Sequence, residues 1–455
     1  MMISKQRFIA LLMILFFLVL VGYLILGSSI HVQSNTAVIL TFSVNIAFFL
    51  IQLVREVKAH PYSFGFMFWL FSLFFFGFAP LLQHLTNTYS WNLQPMTGEV
   101  VQTNLYVLLW SLVFWLGRKG KIRFLLFSRR LRDVQYAYAI KKRALNALLL
   151  VAVLISVYYF VEVGFTNLFI RSTNRNADLN TMMGLLTEHV FRSTMLMSAA
   201  FFIIWMKQHR RISGKAVLVI TLFLIICFPT GLARNTMAAY YAGLMIITFD
   251  KTARGRWFTV TIIIGLVLVF PAITIFRYAG ALEGGGWGAI MEGSVRGTYL
   301  GGDYDTHQMF ISVQRYVNQF GFSLGQQLFG ALLFFVPRSI WPAKPIGTGH
   351  TVMQGLNQYY FTNVSAPLVS EAFINFGILG IILFGFILGM VTKHVDNRYW
   401  ASTNRLQRIR IIYPFSMFQF FFLLRGDMMS AGAYLTALYV VGSVIYRFAV
   451  ARRTV

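Results

Sequence analysis

Apolar residues come in long runs along this chain, separated by short stretches where Lys, Arg, Gly, Pro and Asn collect. The pattern is neither the alternation of a half-buried strand nor the single stripe of a surface helix. It is that of helices apolar on every side. A hydrocarbon core of about 30 Å takes roughly 20 residues of helix to cross. On that measure the chain predicts twelve crossings, over residues 8–27, 35–54, 64–83, 101–117, 144–163, 191–206, 216–232, 235–249, 257–276, 367–392, 411–424 and 432–446. The expected fold is all-α, with residues 1–455 forming one polytopic integral membrane domain.

Composition agrees with that pattern: 57% of residues are hydrophobic and only 12% charged, a balance unlike that of soluble globular domains. The first run follows Lys5 and Arg7 as a signal peptide would, yet it lacks a clear small-x-small site and reads as an uncleaved first helix. The single cysteine, Cys227, excludes an intrachain disulfide and a cysteine zinc site.

Charge then sets the orientation. Short cytoplasmic loops retain Lys and Arg, and placing the N-terminus inside assigns the whole net charge of +25 to the cytoplasmic side. Twelve crossings put both termini there. The basic cytoplasmic loop 118–143 is read as topology and contact with anionic lipid rather than as a nucleic-acid site. The outer side carries nine Arg, one Lys and ten acids, so it is neutral overall but rich in guanidinium.

Two outer segments are long, residues 165–190 and 277–366. The larger opens with the flexible run Glu283-Gly-Gly-Gly-Trp-Gly. Next, Met309, Phe310, Val313, Tyr316, Val317 and Phe320 recur at helical spacing, which predicts a helix lying on the bilayer surface. Leu328 to Val336 is apolar but too short to cross, so a dipping or interfacial segment is expected.

Helix lengths locate two outer arginines. Fifteen residues separate Arg234 from Asp250 and fourteen separate Arg410 from Arg425, about 22 and 21 Å of helix, less than the core they would cross. Both guanidinium groups are therefore recessed. Either they face an acid or a bound anion in the bundle, or they snorkel to the surface, where Arg425 has Asp427 as a local partner. Arg277, Arg315 and Arg338 in the large loop favour a shared anion site. The preference for Arg over Lys fits phosphate, which the planar guanidinium grips with two parallel hydrogen bonds.

Glu371, in Ser365-Ala-Pro-Leu-Val-Ser-Glu, is either a first-turn acid complementing its own helix dipole or an acid that accepts a hydroxyl proton. His350 reads as an exposed loop histidine or as a competing base. Asp303-Tyr-Asp305-Thr-His307 has the look of a metal cluster but no distant partner, and no metal is expected. The chain has no Walker loop, GxGxxG, serine elbow or HExxH, which argues against ATP-driven or dinucleotide chemistry and predicts no cofactor.

The motifs Thr230-Gly-Leu-Ala-Arg234, Val336-Pro-Arg-Ser-Ile-Trp-Pro-Ala-Lys-Pro345, Ser370-Glu-Ala-Phe-Ile-Asn-Phe-Gly-Ile-Leu-Gly380 and Arg425-Gly-Asp427, set in this topology, resemble the Wzy-type oligosaccharide repeat unit polymerases of bacterial O-antigen and capsule synthesis. The resemblance implies a GT-C-like fold in the bacterial inner membrane and glycosyl transfer on its periplasmic face. Donor and acceptor would both be oligosaccharides on undecaprenyl pyrophosphate, and a chain-length-regulating co-polymerase would be a partner. Arg234, Arg338, Arg425 and Arg277 would then hold the pyrophosphate, with Glu371 or His350 as the base. A lipid-linked oligosaccharide flippase and an O-antigen ligase are the alternative readings.

Overall fold

The computed structural model describes residues 35–120, 136–169, 186–249, 256–265, 299–357, 364 and 366–454. The predicted crossing 8–27, most of 257–276, Arg277, the glycine run at 283–288 and most of 118–143 and 165–190 lie outside the described residues. Within them the helices are α1 Thr36–Ala59, α2 Phe64–Leu85, α3 Thr97–Lys119, α4 Lys142–Val163, α5 His189–His209, α6 Gly214–Ile226, α7 Arg234–Thr248, α8 Arg256–Ile264, α9 Thr306–Phe320, α10 Gln326–Leu332, α11 Thr348–Leu356, α12 Leu368–Ala401, α13 Arg408–Arg425 and α14 Met428–Ala449. Seven of them (α1 to α5, α12 and α14) are long and apolar enough to cross a membrane. The structure is that of a helical membrane protein.

Two strands are the exception to the all-helical expectation. β1, Tyr136–Ile140, pairs antiparallel with β2, Val450–Thr454, in the register Tyr138↔Arg452. The sequence reads as cytoplasmic loop and tail there, because neither strand has an apolar partner nearby in the chain. Their pairing makes the two segments meet on one side of any membrane.

The chain forms two compact units. The first comprises residues 1–120, 254–394 and 421–432 and is built around α2, whose whole apolar window is buried. A helix apolar on every side belongs in an interior, and here the run Phe64-Gly-Phe-Met-Phe-Trp supplies it. Phe68 stacks on Phe114 of α3 at 3.5 Å between ring centroids, and Phe71 and Phe75 meet Phe421 edge to face. Residues 72–78 widen into a π-helical stretch, and Gly77 admits Ile46 of α1, since a Cβ there would lie 2.9 Å from Ile46 Cγ1.

The structure corrects the surface-helix expectation for α9. Residues 306–314 are all buried, on the polar face as well as the apolar one. Gln308 donates to Gln83 Oε1 of α2 at 3.0 Å, and Gln314 donates to Thr103 Oγ1 of α3 at 2.7 Å. Protein groups thus take the place of water on the polar face, a pairing that amphipathic spacing does not reveal. The expected dipping segment, Leu328 to Val336, holds the end of the seven-residue α10 and the turn after it, with Phe329, Leu332 and Phe335 exposed.

α12 breaks in its first third. Phe376 and Gly377 leave helical geometry, Gly377 at φ +59° and ψ −140°, where only glycine sits without strain. The carbonyl of Ile374 freed by the break accepts the Ser323 N–H at 2.9 Å. Asn375 completes the joint: its Oδ1 accepts from Ser323 Oγ and Leu328 N, and its Nδ2 donates to the Glu371 carbonyl.

The second unit comprises residues 121–253, 395–420 and 433–455. In it α5 packs against α4, α6 and α7. Gly243 of α7 lies against Phe415, and Tyr399 stacks on Tyr413, whose hydroxyl donates to buried Asp396 at 2.5 Å. Lys207 donates to the Ile247 and Thr248 carbonyls at the end of α7, satisfying groups a helix C-terminus leaves open.

Candidate functional site: a buried acid pair beside Arg425

In the first unit the starts of α11, α12 and α14 converge on two carboxylates. Pro367 precedes α12, as expected of a helix start, and Glu371 lies in its first turn. Glu371 is 2% exposed. It does not act on its own helix: Oε1 accepts the Met428 N–H at the start of α14 at 3.1 Å, and Oε2 accepts the Thr348 hydroxyl at 2.7 Å.

The second carboxylate is Asp427. Met429 and Ser430 at the head of α14, and Thr348 and Gly349 at the head of α11, all donate backbone N–H groups to it. One side chain therefore caps two helices, since each helix start presents unpaired N–H groups and positive dipole. Gly347 makes the approach possible: a Cβ there would lie 2.2 Å from Asp427 Oδ2. Burial pushes the Asp427 carboxyl above the usual carboxylate range, and the backbone N–H groups oppose that rise. Glu371 and Asp427 thus form a neighbouring pair, enclosed and supplied with donors.

Arg425 stands two residues before Asp427 but does not pair with it. Its Nη2 donates to the Gly302 carbonyl at 2.9 Å and meets Asp305 Oδ1 at 3.4 Å. Its Nε is buried and has no hydrogen-bond partner among the described residues. Asp305 is itself 2% exposed and also accepts the Trp91 indole N–H at 3.1 Å. Burial pushes the Asp305 carboxyl up to about 6, against the opposing charge of Arg425. The arginine expected from helix length to be recessed is thus partly neutralised by an acid.

The histidine of the same motif has a different use. His307 is 2% exposed, and its Nε2 donates to Asn104 Oδ1 at 3.0 Å, while Asn104 Nδ2 donates to Thr41. Burial pulls its pKa down to about 3, so the ring is neutral. Asp305 and His307 are each committed to protein partners.

The other expected site residues are more scattered. His350 lies in α11, two residues after Thr348, half-buried and with Nδ1 unpartnered among the described residues. Arg338 donates to the carbonyls of Lys344 and Pro345, at 2.5 and 3.1 Å. Lys344 reaches back to the Phe334 and Val336 carbonyls, so the motif Val336–Pro345 ties itself into a loop by its own cations. Burial, aided by the Arg338 charge, holds the Lys344 ammonium below the usual lysine range. Arg315 is taken up by Glu99, through Nε at 2.6 Å and Nη2 at 2.7 Å. Arg234 belongs to the second unit, where it is the first residue of α7, behind Thr230 and Gly231, which pack on the Phe169 and Leu168 carbonyls. Arg277 lies outside the described residues.

Sequence reasoning missed Asp427 as the partner of Glu371 and Asp305 as the partner of Arg425. Both acids stand in motifs already singled out, but only tertiary structure brings residues 120 positions apart together. In comparisons with protein-family models, curated proteins and solved structures, none matches the chain.

Proposed function

We propose that this protein is a glycosyltransferase that polymerises oligosaccharide repeat units carried on undecaprenyl pyrophosphate, at the periplasmic face of the bacterial inner membrane. The observation that carries the reading is the buried Glu371–Asp427 pair, with Arg425 two residues before Asp427 in the chain and held by Asp305. The accompanying fold would be GT-C-like, with about twelve crossings and both termini cytoplasmic. A co-polymerase setting chain length would be its partner.

In the proposed reaction an acceptor hydroxyl oxygen forms a bond to the donor's anomeric carbon while the bond from that carbon to the pyrophosphate oxygen breaks. The electron pair leaves with the lipid pyrophosphate, and the hydroxyl proton passes to a base. Arg425 and Arg338 bind and stabilise the charge that grows on the leaving oxygen. Glu371, with His350 as the competing group, takes the proton. Arg234 and Arg277 are the further pyrophosphate candidates that the sequence nominates.

Deleting the gene and resolving the surface polysaccharide on a gel tests the class. A single capped repeat unit is the expected result. Loss of every surface repeat would instead mean a ligase, and units held inside would mean a flippase. With purified protein and lipid-linked repeat units, Arg425→Ala and Glu371→Gln should each cut the rate of chain growth by about 10²-fold at unchanged protein level. A normal ladder from both variants would overturn the assignment.

A further inference from the structure

Toward the far end of α12, helices α1, α2, α3 and α12 of the first unit line a half-open cavity of about 370 Å³, within the range of roughly 300–1,000 Å³ found for small-molecule sites. Arg315 pairs with Glu99 at the head of α3, whereas Arg118 and Lys119 stand at its tail, some 28 Å along the helix. The cavity is lined by four cations, Arg55, Arg118, Lys119 and Lys393, by a single carboxylate, Glu56, and by the indoles of Trp69 and Trp115.

The site is constructed rather than incidental. Arg118 is only 7% exposed, and Glu56 accepts from its Nε and Nη2 at 3.0 and 2.9 Å, while Nη1 donates to Thr392 at 3.3 Å. Gly65 leaves room for that guanidinium, since a Cβ there would lie 2.4 Å from Arg118 Nη2. Gly117 of α3 and Gly389 of α12 let the two helices touch backbone to backbone, each standing where a Cβ would fall 2.3 or 2.2 Å from the other helix's carbonyl oxygen. Close approach through small residues is how membrane helices pack. It brings Lys393 to the same cavity as Arg118.

The one lining carboxylate is consumed by Arg118. Three positive charges remain, Lys119 resting its ammonium on the Trp115 ring at 3.8 Å. Below Lys119 an exposed apolar row one helical turn apart, Leu112 and Leu116, runs along α3. A ligand that places a phosphate among cations and trails hydrocarbon along such a row is an anionic phospholipid. From this juxtaposition we propose that the Arg55–Arg118–Lys119–Lys393 cavity is a binding site for the headgroup of one anionic phospholipid. The inference rests on these helices crossing a bilayer and is independent of the glycosyltransferase reading.

The test is native mass spectrometry of the full-length protein, titrated with phosphatidylglycerol, with phosphatidylcholine, and with inorganic phosphate alone. Phosphatidylglycerol should be retained and phosphatidylcholine not. A basic side chain near an anionic surface is worth about fivefold in affinity, so Arg55→Gln with Lys393→Gln should weaken phosphatidylglycerol by roughly 30-fold. The charge-keeping pair Arg55→Lys with Lys393→Arg should restore it. Should the double variant not fold, Lys393→Gln alone should show the fivefold loss. Equal binding of both lipids, or undiminished phosphatidylglycerol binding by the Gln variants, would overturn the proposal. So would displacement of phosphatidylglycerol by millimolar phosphate, which would mark a site for the free anion.

Discussion

Asp305 and His307 lie two residues apart, both buried, and their titrations pull in opposite directions. Asp305 titrates near 6 in the folded protein, so its contribution to stability is present below about pH 4 and is lost as pH rises through 6. His307 titrates near 3, so its contribution is present above about pH 6.5 and is lost on acidification. Between about pH 4 and 6 the two trends oppose. Asp305→Asn should leave the histidine trend uncovered, making stability rise more steeply with pH than in the wild type, whereas His307→Gln should make it fall. Each difference should be on the order of 3 kcal/mol across that window, read from denaturation midpoints in detergent at pH 4, 5 and 6. A shared slope in all three proteins would show that these groups do not titrate as described. At Gly347 the expected result is steric: Gly347→Ala forces Asp427 off its two helix starts and should cost about 1–3 kcal/mol. Residue chemistry was the least legible part of the sequence. Counting residues led to the expectation that Arg425 is recessed but did not give its partner, because the nearest acid along the chain, Asp427, already serves four backbone N–H groups.

Among the elements, α12 illustrates what hydropathy can and cannot report. Its apolar run predicts a crossing, and a helix forms there, yet the break at Phe376–Gly377 leaves no mark in composition. The break frees the Ile374 carbonyl and lets Ser323 and Leu328 dock on its edge, which steadies the turn carrying Glu371. Replacing Gly377 with Ala forces a side chain into φ +59° with the Phe322 ring 3.0 Å away. The variant should lose about 1–3 kcal/mol and, through Glu371, much of any chain-growth activity. An unchanged melting temperature would mean that the turn relaxes. α9 carries the complementary lesson. Its periodicity was legible, but a polar face signals water only when no protein group is available, and Gln83, Thr103 and Glu99 are available.

For the molecule as a whole, apolar runs and basic loops were enough to read a helical membrane protein, while its division into two units was not legible because contacts across hundreds of residues define it. The β1–β2 ribbon offers a direct check on which segments share a side. In a Cys227→Ser background, Tyr138→Cys and Arg452→Cys face each other in register and should crosslink under mild oxidation. Failure to crosslink in folded protein would refute the ribbon. The enclosure of α2 bears on how such a chain is made. Its finished surroundings include Tyr299, Tyr304 and Phe421, all synthesised long after it. On emerging from the ribosome, α2 must first be solvated by lipid with Gln83 unpaired, and must then exchange that lipid for protein as later segments arrive. A chain truncated before Phe421 would therefore strand a fully inserted helix without its last neighbour, the form that membrane quality control is built to remove.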